Sequence, residues 1–315
     1  MHPAYSVIFF TTASGMGYGL LILLGMLAQA EMLPANRLLG LVSLGIALIA
    51  VTFGLLSSMR HLGHPERVLH AYTQWRSSWL SREGVLATMT YVPAGLFAAG
   101  WVGFGDVGGI WRFCGFAAAV LAGFTVYSTG MIYATLRPIH AWCNRWVVPT
   151  YLSLAVFTGA LWLNAILLLF GHATAVAPLV VLLTLLAALY IKWRYWRFIG
   201  STRAASTPET ATGLGSIGNV RLLDPPPTQT TYVTREMGYR IARKHAATLR
   251  RHGYLLLFAL PFVLTVAAVT TVSWMAACAA AAAALSGSVG VVVERWLFFA
   301  EAKHVVTLYH GAKAA

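Results

Sequence analysis

Acidic side chains are scarce in this chain: 315 residues hold nine Asp and Glu, and charged residues of both signs make up only 10%. Soluble globular domains carry roughly a quarter charged residues, so a water-soluble domain is excluded. Segments of about ten residues with alternating polarity are also missing, which excludes a transmembrane β-barrel. The cysteines, Cys114, Cys143 and Cys278, are scattered without a CxxC pair. They offer no disulfide framework, zinc site or four-thiolate iron–sulfur cluster. The opening MHPAYSVIFF lacks a basic n-region and its apolar run outlasts an h-region, so a cleavable signal is not expected.

What fills the chain instead is apolar residue, 58% of the total, at a mean hydropathy of +0.71. It comes in stretches of roughly 20, the length of a helix that spans a bilayer core. In lipid each backbone amide must be satisfied within its own segment, so these stretches are helices. The expected fold is all-α, a polytopic membrane bundle forming one transmembrane domain over residues 1–315. Eight spans are expected, at about 5–30, 38–59, 85–102, 110–136, 147–170, 174–191, 254–274 and 275–300. A break at Gly171-His172-Ala173 separates the fifth from the sixth. The alanine-rich run hides the last turn, and a seven-span chain is the alternative.

The formal net charge of +13 raises the question of nucleic acid, but the bases lie in the connections between apolar runs. That is a pattern of topology signals and anionic-lipid contacts. The second connection holds Arg60, Arg67, Arg76 and Arg82, the fourth Arg137 and Arg145, and the sixth, over 192–253, eleven from Lys192 to Arg251. The odd-numbered connections hold only Arg37 and Arg112. The positive-inside rule therefore puts the even connections and both termini in the cytoplasm.

Two connections carry more than linker sequence. In PERVLHAYTQWRSSWL, Pro65 suits a helix start, and Val68, Leu69, Tyr72, Trp75 and Trp79 share one helical face. An interfacial helix is expected there, with Ser81 as N-cap of the third span and Glu83 in its first turn. The sixth connection pairs LLDPPPTQTTY, an extended stretch, with REMGYRIARKHAATLRRHGY, a basic helix leading into the membrane. Gly213, Gly215 and Gly218 spell GxGxxG, but without the strand that precedes a dinucleotide loop, so a turn is expected.

Candidate chemistry concentrates at two span ends. None of the ten histidines is central in a span, which argues against a bis-histidine haem inside the bundle. The second span closes in SSMRHLGHPER, where Arg60, His61 and His64 meet the membrane surface. Imidazole trades protons near neutral pH and bonds a carbonyl oxygen; the competing reading is a basic helix end anchored to headgroups. The last span closes in VVVERWLFFAEAKHVVTLYHG. Glu294 and Arg295 stand where apolar residues belong, and Glu294, Glu301 and His304 share a face suited to a proton relay. The competing reading is an ion pair between Glu294 and a base on another helix.

Four segments together, MRHLGHPERVLHAYTQWRSSWLSREG, MIYATLRPIHAWCN, VRLLDPPPT with REMGYRIARKH, and ERWLFFAEAKHVVTLYHG, resemble the DmsC family of membrane-anchor subunits of molybdenum oxidoreductases. The likeness runs from the first span to the C-terminus, and RSSWLSREG, ERWLFFAEA and the long basic connection look most like the anchors of cytoplasmic, quinone-dependent sulfite dehydrogenases. The resemblance implies an eight-helix anchor without haem of its own, in a bacterial inner membrane. Such an anchor holds an iron–sulfur subunit and a molybdopterin catalytic subunit, here on the cytoplasmic face, and passes electrons to ubiquinone or menaquinone. In the family the His of the HLG motif, here His61, is tied to quinone reactivity, and an acidic residue of the last span matches Glu294. The expected quinone site comprises Arg60, His61, His64, Tyr72, Arg76 and Trp79, with Glu294, Glu301 and His304 relaying protons. Alternatives are a dimethyl sulfoxide reductase-type anchor that oxidises quinol, an ion-coupled transporter built on Glu294 and Arg295, and a tether with no quinone site.

Overall fold

In the computed structural model, which describes residues 4–60, 64–202, 204, 206–224, 241–271 and 274–312, eight helices of 23 to 27 residues are long and apolar enough to cross a membrane. Helices α1 (Tyr5–Gln29), α2 (Arg37–Met59), α3 (Trp79–Ala98, continued by the π-helical turn Ala99–Phe104), α4 (Gly109–Ala134), α5 (Val147–Leu169) and α6 (Val176–Ser201) come first. A one-turn helix, α7 (Pro208–Thr212), lies in the long connection. Helix α8 comprises Ile241–Tyr254, a π-helical turn Leu255–Ala259 and Leu260–Thr270, and α9 covers Trp274–Ala300. Among the described residues the all-α expectation holds, and eight helices are candidate spans. Alternating spans bring the start of α1, the 3-10 helix Pro65–Gln74, α7 and the end of α9 to one face of the bundle.

Boundaries depart from hydropathy where a helix outlasts its apolar run. Helix α6 continues ten residues past the expected end at 191, through IKWRYWRFIGS, because its bases are accommodated: Arg194 stacks on Trp146 with the guanidinium carbon 4.8 Å from the ring centre, and Lys192 is buried. The last junction falls four residues earlier than expected, with α8 ending at Thr270 and Thr271 extended. The fifth break is as expected: Gly171 closes α5 in the left-handed region at φ +73°, a conformation that costs glycine little.

The 60–81 region corrects two expectations. Pro65–Gln74 is a helix begun at Pro65 as expected, but a 3-10 helix, whose three residues per turn align Leu69, Tyr72 and Trp75 and leave Trp79 out of the expected α-helical face. Leu69, Tyr72 and Trp75 are exposed, whereas Trp79 is half-buried as the first residue of α3. The N-cap of α3 is Ser78, whose hydroxyl accepts from the Ser81 amide at 3.4 Å. Ser81 and Glu83 thus lie inside the helix and both are buried. Residues 225–240, which include most of the extended stretch of the sixth connection, lie outside the described residues. Gly213, at φ +73°, ends α7 in a turn.

Helices α1 and α5 are the most enclosed spans. Helix α1 packs on α2, α4 and α5, while α5 also meets α6 and α9, so α1 and α5 join an α1–α5 core to an α5–α6–α8–α9 core. Within a membrane, helix association depends on close packing, and small residues permit it. At the α1–α5 crossing a Cβ placed on Gly19 would stand 1.8 Å from the Ala155 carbonyl oxygen, and one on Gly159 2.3 Å from the Gly19 carbonyl carbon. Gly25 approaches the Gly115 carbonyl of α4 in the same way. Gly19→Ala should therefore force the crossing apart and cost about 1–3 kcal/mol. Thermal unfolding in mild detergent should show a lowered midpoint, with Gly45→Ala, where a Cβ meets nothing within 4 Å, as the neutral control.

Candidate functional site

Between the ends of α1, α2, α3 and α4 and the 3-10 helix lies a cleft of about 500 Å³, within the range of small-molecule sites. Its walls are mainly apolar, from Val7, Phe10, Leu55 and Ala87 among others, with polar lining from His64, Arg67, Tyr72, Glu83 and Thr88. The Tyr72 hydroxyl bonds that of Thr88 at 2.7 Å, fastening the 3-10 helix to α3. Arg82 holds the following turn, donating to the carbonyls of Trp75 at 2.9 Å and Arg76 at 2.7 Å. Together these contacts fix the roof of the cleft.

The six residues expected at a quinone site separate on this frame. His64 and Tyr72 line the cleft. Arg60 caps the end of α2 and is exposed. Arg76 is exposed over the Trp75 ring, and Trp79 sits edge-on to Tyr127 with Arg82 4.1 Å above it. His61 lies outside the described residues. Among the described residues, Arg67 is the arginine that lines the cleft.

Sequence reasoning missed Glu83. It lines the cleft at 4% exposure, and its carboxylate accepts a hydrogen bond from the Thr129 hydroxyl of α4. Had the third span been started at Trp79 rather than 85, this carboxylate would have counted as intramembrane and drawn the attention that such groups warrant. Tyr133, also of α4, forms another part of the wall.

The expected relay residues lie on the other side of α5. Glu294 is fully buried, and its Oε1 accepts from the ammonium of Lys192 on α6, the partner that the competing reading requires. Arg295 Nη1 is 3.4 Å from Oε2 of Glu294, and its guanidinium carbon lies 3.6 Å from the centre of the Tyr151 ring. Glu301 pairs with Arg250 of α8 at 3.0 Å, nearer the surface. The His304 imidazole accepts the Val306 amide at 3.0 Å, and burial pushes its pKa below the usual value.

Two outcomes follow from these pairings. Glu294→Gln would leave Lys192 and Arg295 as uncompensated buried cations, a change that costs about 3–5 kcal/mol. Lys192→Met leaves Glu294 balanced by Arg295 and should cost less; the ranking of unfolding midpoints in detergent checks this. The fold favours neutral His304, so the stability its capping contact adds is fully present above the ordinary imidazole pKa of about 6.5, and is lost as pH falls below that and through the lowered value. Hydrogen-exchange protection at the Val306 amide, corrected for the intrinsic rate, should persist at about pH 6.5 and fall only as pH is lowered further, and not in His304→Gln.

Eight spans, a mainly apolar cleft opening at one face and a long basic connection on that same face describe an integral membrane protein whose chemistry gathers at one surface. The sequence matches the DMSO reductase anchor subunit (DmsC) family over residues 1–300, and the chain belongs to that family. It is also 31% identical, over 335 aligned positions that cover 100% of both chains, to the C subunit of sulfite dehydrogenase from Allochromatium vinosum. The protein is therefore a membrane-anchor subunit of an oxidoreductase, and an anchor implies companion subunits that carry the catalysis.

Proposed function

We propose that the chain is the quinone-reactive anchor of a molybdopterin oxidoreductase complex that oxidises sulfite and reduces quinone in a bacterial inner membrane. The single observation that carries the quinone site is the 500 Å³ cleft, apolar enough for a lipid-soluble ring and bordered by His64, Tyr72 and the buried carboxyl of Glu83. Its sulfite side rests on the full-length similarity to the C subunit of a sulfite dehydrogenase. The eleven bases of the sixth connection support a cytoplasmic location for the cleft face and both termini. An iron–sulfur subunit docks on this face, with the molybdopterin subunit beyond it, and delivers electrons singly.

Reduction of one quinone takes two electrons from that partner and two protons. His61, three residues before His64, bonds and protonates one carbonyl oxygen, and Glu83 protonates the other. Arg67, with Arg60 or Arg76 nearby in the chain, stabilises the negative charge that builds up as electrons arrive. Ubiquinone and menaquinone both present the paired carbonyls this arrangement addresses.

In the purified complex, His61→Ala and Glu83→Gln should each lower quinone reduction by about 100-fold or more, the scale of a lost general acid. Partner content and sulfite-driven reduction of an artificial dye should be retained. Normal quinone turnover in both variants would overturn the assignment of this cleft.

A further inference from the structure

Four charged side chains are buried among the described residues: Glu83 on α3, Lys192 on α6, and Glu294 and Arg295 on α9. The quinone site uses only the first. The other three form one cluster with a surplus positive charge, and with an ionised Glu83 the four sum to zero. Buried charge is expensive unless compensated, so a cluster left one cation in excess calls for a partner.

The space between them is polar. A cavity of about 10 Å³ lies between α1, α4, α5 and α9, bordered by Ser14, Tyr18, Thr129, Tyr151, Thr158 and Arg295 among others. That volume holds one water molecule, and a buried water needs two to four polar partners. They are present: the Thr12 hydroxyl and the Nε of Arg295 are buried with no hydrogen-bond partner within the protein, and Tyr18 and Tyr151 also border the cavity. Thr129 borders this cavity and donates to Glu83 of the cleft wall, so one residue links the two compartments. A second contact runs parallel, since Tyr133 of the cleft wall stacks on Tyr151 with ring centres 5.7 Å apart, and Tyr151 carries Arg295 on its other contacts.

From Arg295 the chain of contacts continues outward. Glu294 bonds Lys192, whose ammonium lies 4.7 Å from the centre of the Trp196 ring. Arg250 lies 6.0 Å from that same ring and pairs with Glu301, which is partly exposed. All of these groups sit within about three turns of the helix ends on the cleft face, so the file crosses the bundle sideways rather than through the membrane.

Resting on the quinone reading of the cleft, we propose that this file, with one ordered water in the small cavity, is the route by which Glu83 regains its proton from the aqueous surface at Arg250 and Glu301. When Glu83 gives its proton to the quinone oxygen, its carboxylate takes one from the Thr129 hydroxyl. Thr129 is refilled from the water, and the water through the Tyr151 hydroxyl and the Glu294–Lys192 pair, which exchanges a proton between carboxylate and ammonium. Water entering from the surface at Glu301 carries the proton past the Trp196 ring to Lys192, so one proton enters for each one Glu83 delivers. The electrons come from the iron–sulfur partner and do not use this path. Arg295 keeps its charge throughout; it is a positioning residue that holds the water and favours the anionic carboxylate.

The test uses the intact complex in liposomes with a soluble quinone. Thr129→Val should lower kcat by at least about tenfold with KM unchanged and a larger solvent deuterium isotope effect. Thr129→Ser, which keeps the hydroxyl, should restore the parental rate, and Tyr151→Phe should behave as Thr129→Val. Parental kcat and isotope effect in both Thr129→Val and Tyr151→Phe, with Glu83→Gln still inactive, overturn the path and leave the quinone site standing. Parental turnover in Glu83→Gln as well overturns both.

Discussion

The backbone contact between α1 and α5 sets the spacing on which the rest of the bundle depends. Lipid offers helices no hydrophobic reason to associate, so they must meet closely enough for dispersion forces to hold them. Gly19 and Gly159 remove the side chains at the crossing and let two backbones touch. One turn nearer the cleft face the helices diverge, Gly15 being 4.0 Å from the Ala155 side chain as measured from a Cβ built there. The small polar cavity opens at that divergence. The seam is thus tight where it binds and loose where polar groups gather.

The distribution of charge follows the same division. At the outer end of the α1–α4 side, exposed Glu31 pairs with half-buried Arg112, and a pair open to solvent on one side adds little. Toward the cleft face the bundle buries Glu83, Lys192, Glu294 and Arg295, each against a partner or an aromatic face. Aromatic rings dominate the packing there: Tyr133, Trp142, Tyr151, Phe298 and Phe299 touch one another in stacked and edge-on contacts. The Trp142 indole also donates to the Phe298 carbonyl at 2.9 Å, linking the 135–146 connection to the end of α9. Such a layer is stiff, and it holds the polar groups on either side of α5 in register.

Hydropathy and charge bias determined the class, the all-α architecture and the approximate place of every span, because a bilayer leaves a chain no other way to satisfy its backbone. The motifs around His61 and Glu294 pointed to the ends of the second and last spans. Tertiary structure alone decided which polar groups meet. Glu83 read as a helix-start acid because its span was begun six residues late, and Lys192 read as a loop base because hydropathy stops at Ile191. Both are inside the bundle because a partner on another helix makes burial tolerable: Thr129 for Glu83, Glu294 for Lys192. A pairing of that kind joins residues 46 and 102 positions apart, and no local pattern of polarity encodes a distance across a fold.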